Sequence, residues 1–182
     1  MIETIANTAR PLLEFPIIRR VRRNHALEHA TVHMLSRRIK NLRIAGRAND
    51  SGFVLIGDVP TDVVEKAAQE ALERMQRGES KLAIHPNCGT NLVTTGTMTT
   101  FAAMIGLSAG SNTRRFSPDR FSLTLMLTIM ALIVSQPMGL RIQEFITTKG
   151  EPGDLEIIGV KRNEMNWFGN KMVTHRITTR RG

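Results

Sequence analysis

Apolar and polar positions divide this chain into a charged first part, two uncharged stretches and a charged tail. Pro11 and Pro16 punctuate the opening residues, which read as a lead-in packing Leu12, Leu13 and Phe15 against something apolar. The spacing of residues 17–40 predicts a long helix, with Pro16 just before it where a proline is tolerated. At roughly 100° per residue, Ile17, Val21, Val32, Leu35 and Ile39 share one face and Arg19, Arg20, Arg23, Arg37 and Arg38 lie opposite. Residues 42–44 and 53–56 are strand-like runs around a loop over 46–52, which predicts a β-hairpin. Thr61 is a candidate cap for a second helix with Val64, Ala67, Ala68, Ala71, Leu72 and Met75 on one face, ending near Gly78. Leu82, Ala83 and Ile84 read as a third strand.

Between Lys81 and Arg114 there is no Asp, Glu, Lys or Arg, and residues 121–140 again carry no formal charge. A transmembrane helix needs about 20 apolar residues, which suits 121–140 well and 92–110, with its five threonines, less well. Ala102, Gly106 and Gly110 repeat every four positions, as do Ala131, Ser135 and Gly139, so two such helices can approach closely. The tail holds two more strand-like runs, 155–160 and 172–178, joined by a link over 163–170.

The fold expected is therefore α+β, a small mixed helix/sheet domain with an inserted two-helix transmembrane hairpin. Its divisions are an N-terminal unit over 1–88, the hairpin over 89–141, and a C-terminal β-hairpin over 142–182 that rejoins the first unit. A membrane hairpin returns both termini to one side, and the basic residues at 19–43 and 141–182 favour the cytoplasm for that side.

Charge sharpens this picture. The chain carries +9 over 182 residues, with no Tyr and one Trp. So few aromatic residues argue against a base-stacking nucleic-acid platform, and anionic lipid is the more natural counter-charge. Cys88, the single cysteine, excludes an internal disulfide. Residues 1–15 contain Glu3 and Glu14 and lack a continuous apolar core, so they do not read as a cleaved signal peptide.

The candidate chemistry lies in Asn24-His25-Ala26-Leu27-Glu28-His29-Ala30-Thr31-Val32-His33. His25 and His29, four apart on a helix, face the same way and can hold one ion, with Glu28 close enough to activate its water. His33 lies about 12 Å along the axis from His25, too far to share that ion from an undistorted helix. It remains an alternative ligand paired with His29. A catalytic zinc wants a third protein ligand, and His85 and Cys88, three apart beyond the last expected strand, are the candidates. Single helical histidines also serve as axial ligands of tetrapyrroles. His175 reads as an ordinary strand histidine, and Arg19, Arg20, Arg22 and Arg23 as a lipid-facing or solvated surface.

The stretches Asn24-His25-Ala26-Leu27-Glu28-His29-Ala30-Thr31, Gly52-Phe53-Val54-Leu55-Ile56-Gly57-Asp58-Val59 and His85-Pro86-Asn87-Cys88-Gly89-Thr90-Asn91 resemble a functionally uncharacterised family of bacterial membrane-associated proteins, known mainly from Chloroflexota and cyanobacteria. His25-Ala26-Leu27-Glu28-His29 is also similar to the helix of pitrilysin-like inverted zinc peptidases, which implies His25 and His29 as Zn²⁺ ligands and Glu28 as the base. Those enzymes take a glutamate far downstream as third ligand, where this chain has its uncharged Thr-rich segment. The expectation is a membrane-anchored zinc-dependent hydrolase. The alternative is a non-enzymatic protein whose histidine helix binds a structural metal or a tetrapyrrole for assembly of a membrane complex.

Overall fold

The computed structural model describes residues 1–109, 118–167 and 170–182, without the side chains of 166, 167, 170 and 171. Gly110 and most of the expected interhelical link, as well as 168–169 in the tail hairpin, lie outside the described residues. In chain order the elements are α1 (Ile2–Thr8), α2 (Arg10–Leu13), α3 (Pro16–Arg38), β1 (Ala45–Asn49), β2 (Gly52–Ile56) and α4 (Thr61–Gln76). A 3-10 turn (Ser80–Ala83), α5 (Gly89–Ser108), α6 (Pro118–Ile142), a π-helical turn (Gln143–Thr147), β3 (Glu156–Trp167) and β4 (Asn170–Arg180) follow. The mixture of helices with an antiparallel sheet is α+β.

The chain divides into two compact units. The first comprises Met1–His85 and Gln143–Gly182 and contains a four-stranded antiparallel sheet in the order β1-β2-β4-β3. Side chains alternate across a strand, and in β4 Val173, His175, Ile177 and Thr179 all point inward and are buried. Phe53 and Leu55 of β2 stand beside Ile177 and His175 in register and join the same layer. α3 packs against α4, the 3-10 turn and the strands β1 and β2, and so is enclosed on several sides. Its middle, from Ala26 to Thr31, is buried all round.

Several expectations need correction. The helix wheel places α3 with one apolar face, yet Ile17 is exposed while Asn24 and Thr31 are wholly buried. The reason is position: a helix at the centre of a unit has no solvent side along its middle. Asn24 is satisfied there by donating to the Asn49 carbonyl at 2.8 Å and accepting from the Thr179 hydroxyl at 2.8 Å, which ties α3 to both β1 and β4. Residues 42–44 are not a strand, because pairing with β2 starts at Ala45 and uses Gly46 to Asn49, expected as loop. Residues 82–84 form no strand either. The apolar run is too short to define its own backbone and closes instead in the 3-10 turn. Thr61 is the first helical residue of α4 rather than its cap, and Pro60 holds the cap position. Arg22 is buried rather than lipid-facing, donating to the carbonyls of Leu13, Phe145 and Thr148.

The second unit, Pro86–Ile142, consists of α5 and α6 packed antiparallel. Their contact face is small and polar. The backbone at Gly106 sits against Thr124, that at Gly139 against Asn91, and the hydroxyls of Thr95 and Ser135 share a 2.8 Å hydrogen bond. Neither glycine position has room for a methyl group, since a Cβ would overlap its neighbour. The outer face carries exposed Leu92, Val93, Phe101, Ile105, Leu125, Met126 and Ile133. Such an inverted distribution suits an apolar solvent. Among the described residues one helix, Pro118–Thr147, is long and apolar enough to cross a membrane. The expected pair of spans is thus met only in part, because threonines at 94, 95, 97, 99 and 100 lower the apolarity of α5.

His175 is fully buried, and its ring makes no strong hydrogen bond among the described residues, only a weak one with the Val59 backbone. Burial, followed by the nearby Arg162, holds its pKa below the ordinary histidine value against the opposing pull of Val59 and Asp58. Below pH of about 6.5 the unfolded chain takes up a proton that the folded ring resists, so stability falls as pH drops through that value. Replacing His175 with Leu removes a poorly satisfied polar ring and should raise stability by about 1 kcal/mol. The stability curve between neutral and mildly acidic pH should flatten as well, as thermal unfolding of the detergent-solubilised protein at several pH values will check.

Candidate metal centre

The site grows from α3, which places His25, Glu28, His29 and His33 along successive turns of one buried helix. His85, the last residue before the helical pair, joins them. The ring centroids of His25 and His29 are 4.4 Å apart, those of His29 and His85 5.9 Å, and those of His33 and His85 4.9 Å. Four imidazoles therefore run in a continuous series, and His33 enters it through His85 rather than through His25.

Three of the rings are fixed by backbone carbonyls. Nδ1 of His25 bonds to the Thr147 oxygen at 3.0 Å, Nδ1 of His29 to the Ala83 oxygen at 2.6 Å, and Nε2 of His33 to the Ile84 oxygen at 2.9 Å. A carbonyl oxygen only accepts, so in each pair the ring nitrogen donates its proton. In the neutral ring the lone pair then belongs to the other nitrogen: Nε2 in His25 and His29, and Nδ1 in His33. Such an N–H to a carbonyl fixes tautomer and orientation in metal-binding histidines. Ligating atoms of His25 and His29 lie within 4.8 Å of one another, close enough to hold one ion.

His85 is fixed through its backbone, whose N–H donates to Oε1 of the wholly buried Gln143 at 2.9 Å. Burial first, and the neighbouring His33 second, hold its pKa below the usual histidine range. The ring is consequently neutral at neutral pH, the form that binds metals. Cys88 belongs to the helical unit, where it is the N-cap of α5 and its sulfur accepts from the Thr90 N–H at 3.4 Å.

Glu28 is 6% exposed and lies against β1, its carboxylate pressed onto the backbone of Gly46. Any larger residue at 46 would overlap that carboxylate. The sequence reading missed Gly46, and it missed Gln143, Asn24 and Arg22 as supports of the site. A polar residue at a helix position meant for the core was the available signal for Asn24; the other three carry none that spacing reveals.

A family model described as a domain of unknown function (DUF6391) matches residues 20–160, a span that includes all four clustered histidines and Cys88. An uncharacterised protein of Picosynechococcus sp. is 35% identical over 100 residues, covering 50% of this chain and 46% of its own length. The chain thus matches about half the length of that curated relative. No solved structure matches. These comparisons meet the expectation of an uncharacterised family at family level and carry no likeness to the zinc peptidases.

Gly46→Ala should force the Glu28 carboxylate out of its seat. Overpacking of this kind costs about 1–3 kcal/mol, readable as a lowered unfolding midpoint. The double variant Gly46→Ala with Glu28→Ala should recover part of that loss, since the three atoms nearest a Cβ at 46 all belong to Glu28.

Proposed function

We propose, from the premise that this chain belongs to the DUF6391 family, that it is a membrane-anchored zinc-dependent hydrolase acting on peptide or amide bonds near the cytoplasmic membrane face. The observation that carries this reading is the pair of histidine–carbonyl bonds that leaves Nε2 of His25 and of His29 as the electron-pair donors on one buried helix, with ligating atoms within 4.8 Å of one another. Zinc suits a histidine and cysteine donor set. His25 and His29 would hold it. His85 would complete the set, or Cys88 three residues further along the chain, with His33 as the alternative ligand.

Bound zinc would supply an acidified water near neutral pH. Glu28 would take the proton of that water and return it to the leaving group, the role its position between His25 and His29 suggests. The anchor would be Pro118–Thr147, accompanied by α5. The threonines of α5 do not oppose this, because Thr94 and Thr99 donate to the carbonyls of Thr90 and Thr95 four residues earlier. A hydroxyl satisfied within its own helix is cheaper to place in lipid. The basic excess of the chain would face anionic headgroups of the inner membrane.

One observation favours a second reading. His29 is only 3% exposed and Glu28 6%, and closed sites are the mark of structural metals. In that case the centre would bind a structural ion, or a tetrapyrrole through one imidazole, and serve assembly of a membrane complex.

Protein purified in detergent without a histidine tag should contain stoichiometric zinc by elemental analysis, lost in His25→Ala and His29→Ala. Glu28→Gln should keep the zinc while lowering turnover of fluorogenic peptides by about 10²–10⁴-fold. Zinc retained in both histidine variants would reject the site. Zinc present in a wild-type protein without turnover would leave the structural reading, and a visible absorption band would favour the tetrapyrrole.

A further inference from the structure

The lead-in was expected to pack Leu12 and Phe15 on an apolar partner, and among the described residues both stay largely uncovered. Leu12 is 62% exposed and Phe15 53%, as are Met1, Ile5 and Ile17 to similar degrees. The other large exposed apolar side chains described in the same unit, Ile56, Ile158 and Met165, lie on the sheet strands or their ends. The lead-in thus concentrates apolar exposure in one segment.

That segment is nevertheless held firmly. Arg22, itself buried, donates to the Leu13 carbonyl and pairs with Glu14 at 3.7 Å. Lys149 donates to the same Glu14 carboxylate at 2.6 Å, and this bond first of all holds the Glu14 pKa below the carboxylate norm. Ala6 of α1 is buried, and α1 packs on the π-helical turn Gln143–Thr147. A segment fixed this well with its apolar side chains outward is built to meet an apolar phase.

Two features identify that phase. The turn on which α1 rests follows α6 directly in the chain and closes the apolar stretch Pro118–Thr147. Exposed Arg10 and the partly exposed Arg19 and Arg20 just after the segment outnumber exposed Glu3, with Glu14 already neutralised by Lys149, which leaves a net positive, apolar surface. That combination matches the headgroup boundary of an anionic bilayer, where short amphipathic segments bury a few apolar side chains and keep their cations among phosphates.

We infer that residues 1–17 form an interfacial anchor, with Leu12, Phe15 and Ile17 inserted shallowly into an anionic lipid leaflet. The inference rests on the membrane-anchored part of the proposed function and is independent of the metal chemistry. The lead-in would thereby hold the histidine-bearing unit against the membrane surface.

The test uses the full chain reconstituted in phosphatidylcholine/phosphatidylglycerol vesicles. In a Trp167→Phe background the only tryptophan is placed at Leu12→Trp, or as a control at Ile129→Trp within α6. Lipids brominated near the headgroup should quench most of the Leu12→Trp emission, which should be blue-shifted, while lipids brominated deep in the chains quench Ile129→Trp. Quenching of Ile129→Trp alone, with Leu12→Trp open to aqueous iodide, would overturn the anchor and leave the membrane reading standing. A Leu12→Trp site shielded from iodide yet unquenched by any bromolipid would also overturn it, since a protein surface would then be the occupant. If neither position is quenched by lipid, the membrane reading fails and the anchor with it.

Discussion

The structure depends on three hydrogen bonds from imidazoles to backbone carbonyls. Ala83 and Ile84 are among the last residues before the chain leaves the first unit for the helical pair, and Thr147 ends the turn by which it returns. His29, His33 and His25 hold these three carbonyls from one helix. His85 and Gln143, the residues at the two crossings, are joined by their own bond. An unpaired carbonyl in such a buried place would cost about 1–3 kcal/mol, so the histidines stabilise the points of departure and return. Within the first unit, α3 thereby clamps the residues on either side of the insertion Pro86–Ile142.

The two units solve opposite solvation problems. In the first, apolar side chains converge on α3 and the inner sheet face, and a buried polar group such as Asn24 is matched by its partners, Asn49 and Thr179. In the second, the polar and small residues lie between the helices and the large apolar ones lie outside. In an apolar solvent burial of apolar area would not stabilise such a pair, and contact would have to come from close backbone approach and hydroxyl pairing. Gly106 against Thr124 and Thr95 with Ser135 supply both.

What the sequence made legible follows from the same physics. The long helices α3, α4 and α6 announce themselves by period and length, and the histidine spacing is readable because a helix fixes which residues share a face. β1 is not readable: Ala45-Gly46-Arg47-Ala48-Asn49 has the composition of a loop and becomes a strand only because β2 offers it a ladder. The burial of α3 on several sides is equally hidden, since a helix wheel assumes one wet face. The carbonyl clamps leave no trace at all in the sequence, because every residue carries a carbonyl and only the fold decides which of them need a donor.

This last point bears on why histidines occupy the clamp. If carbonyl donors were the sole requirement, other side chains would serve, as Arg22 does for Leu13, Phe145 and Thr148 in the same unit. Imidazole differs in carrying a second nitrogen across the ring, which becomes an electron-pair donor once the first is committed to a carbonyl. One such ring is an ordinary core residue. Four in a series of centroids from 4.4 to 5.9 Å, three of them on one helix that also buries a carboxylate, bring several imidazoles together at one place. Architecture alone requires the N–H of His25, His29 and His33 and accounts for the clamp. The closeness of the His25 and His29 ligating atoms, within 4.8 Å of one another, goes beyond that account and gives the pair the capacity to hold a cation.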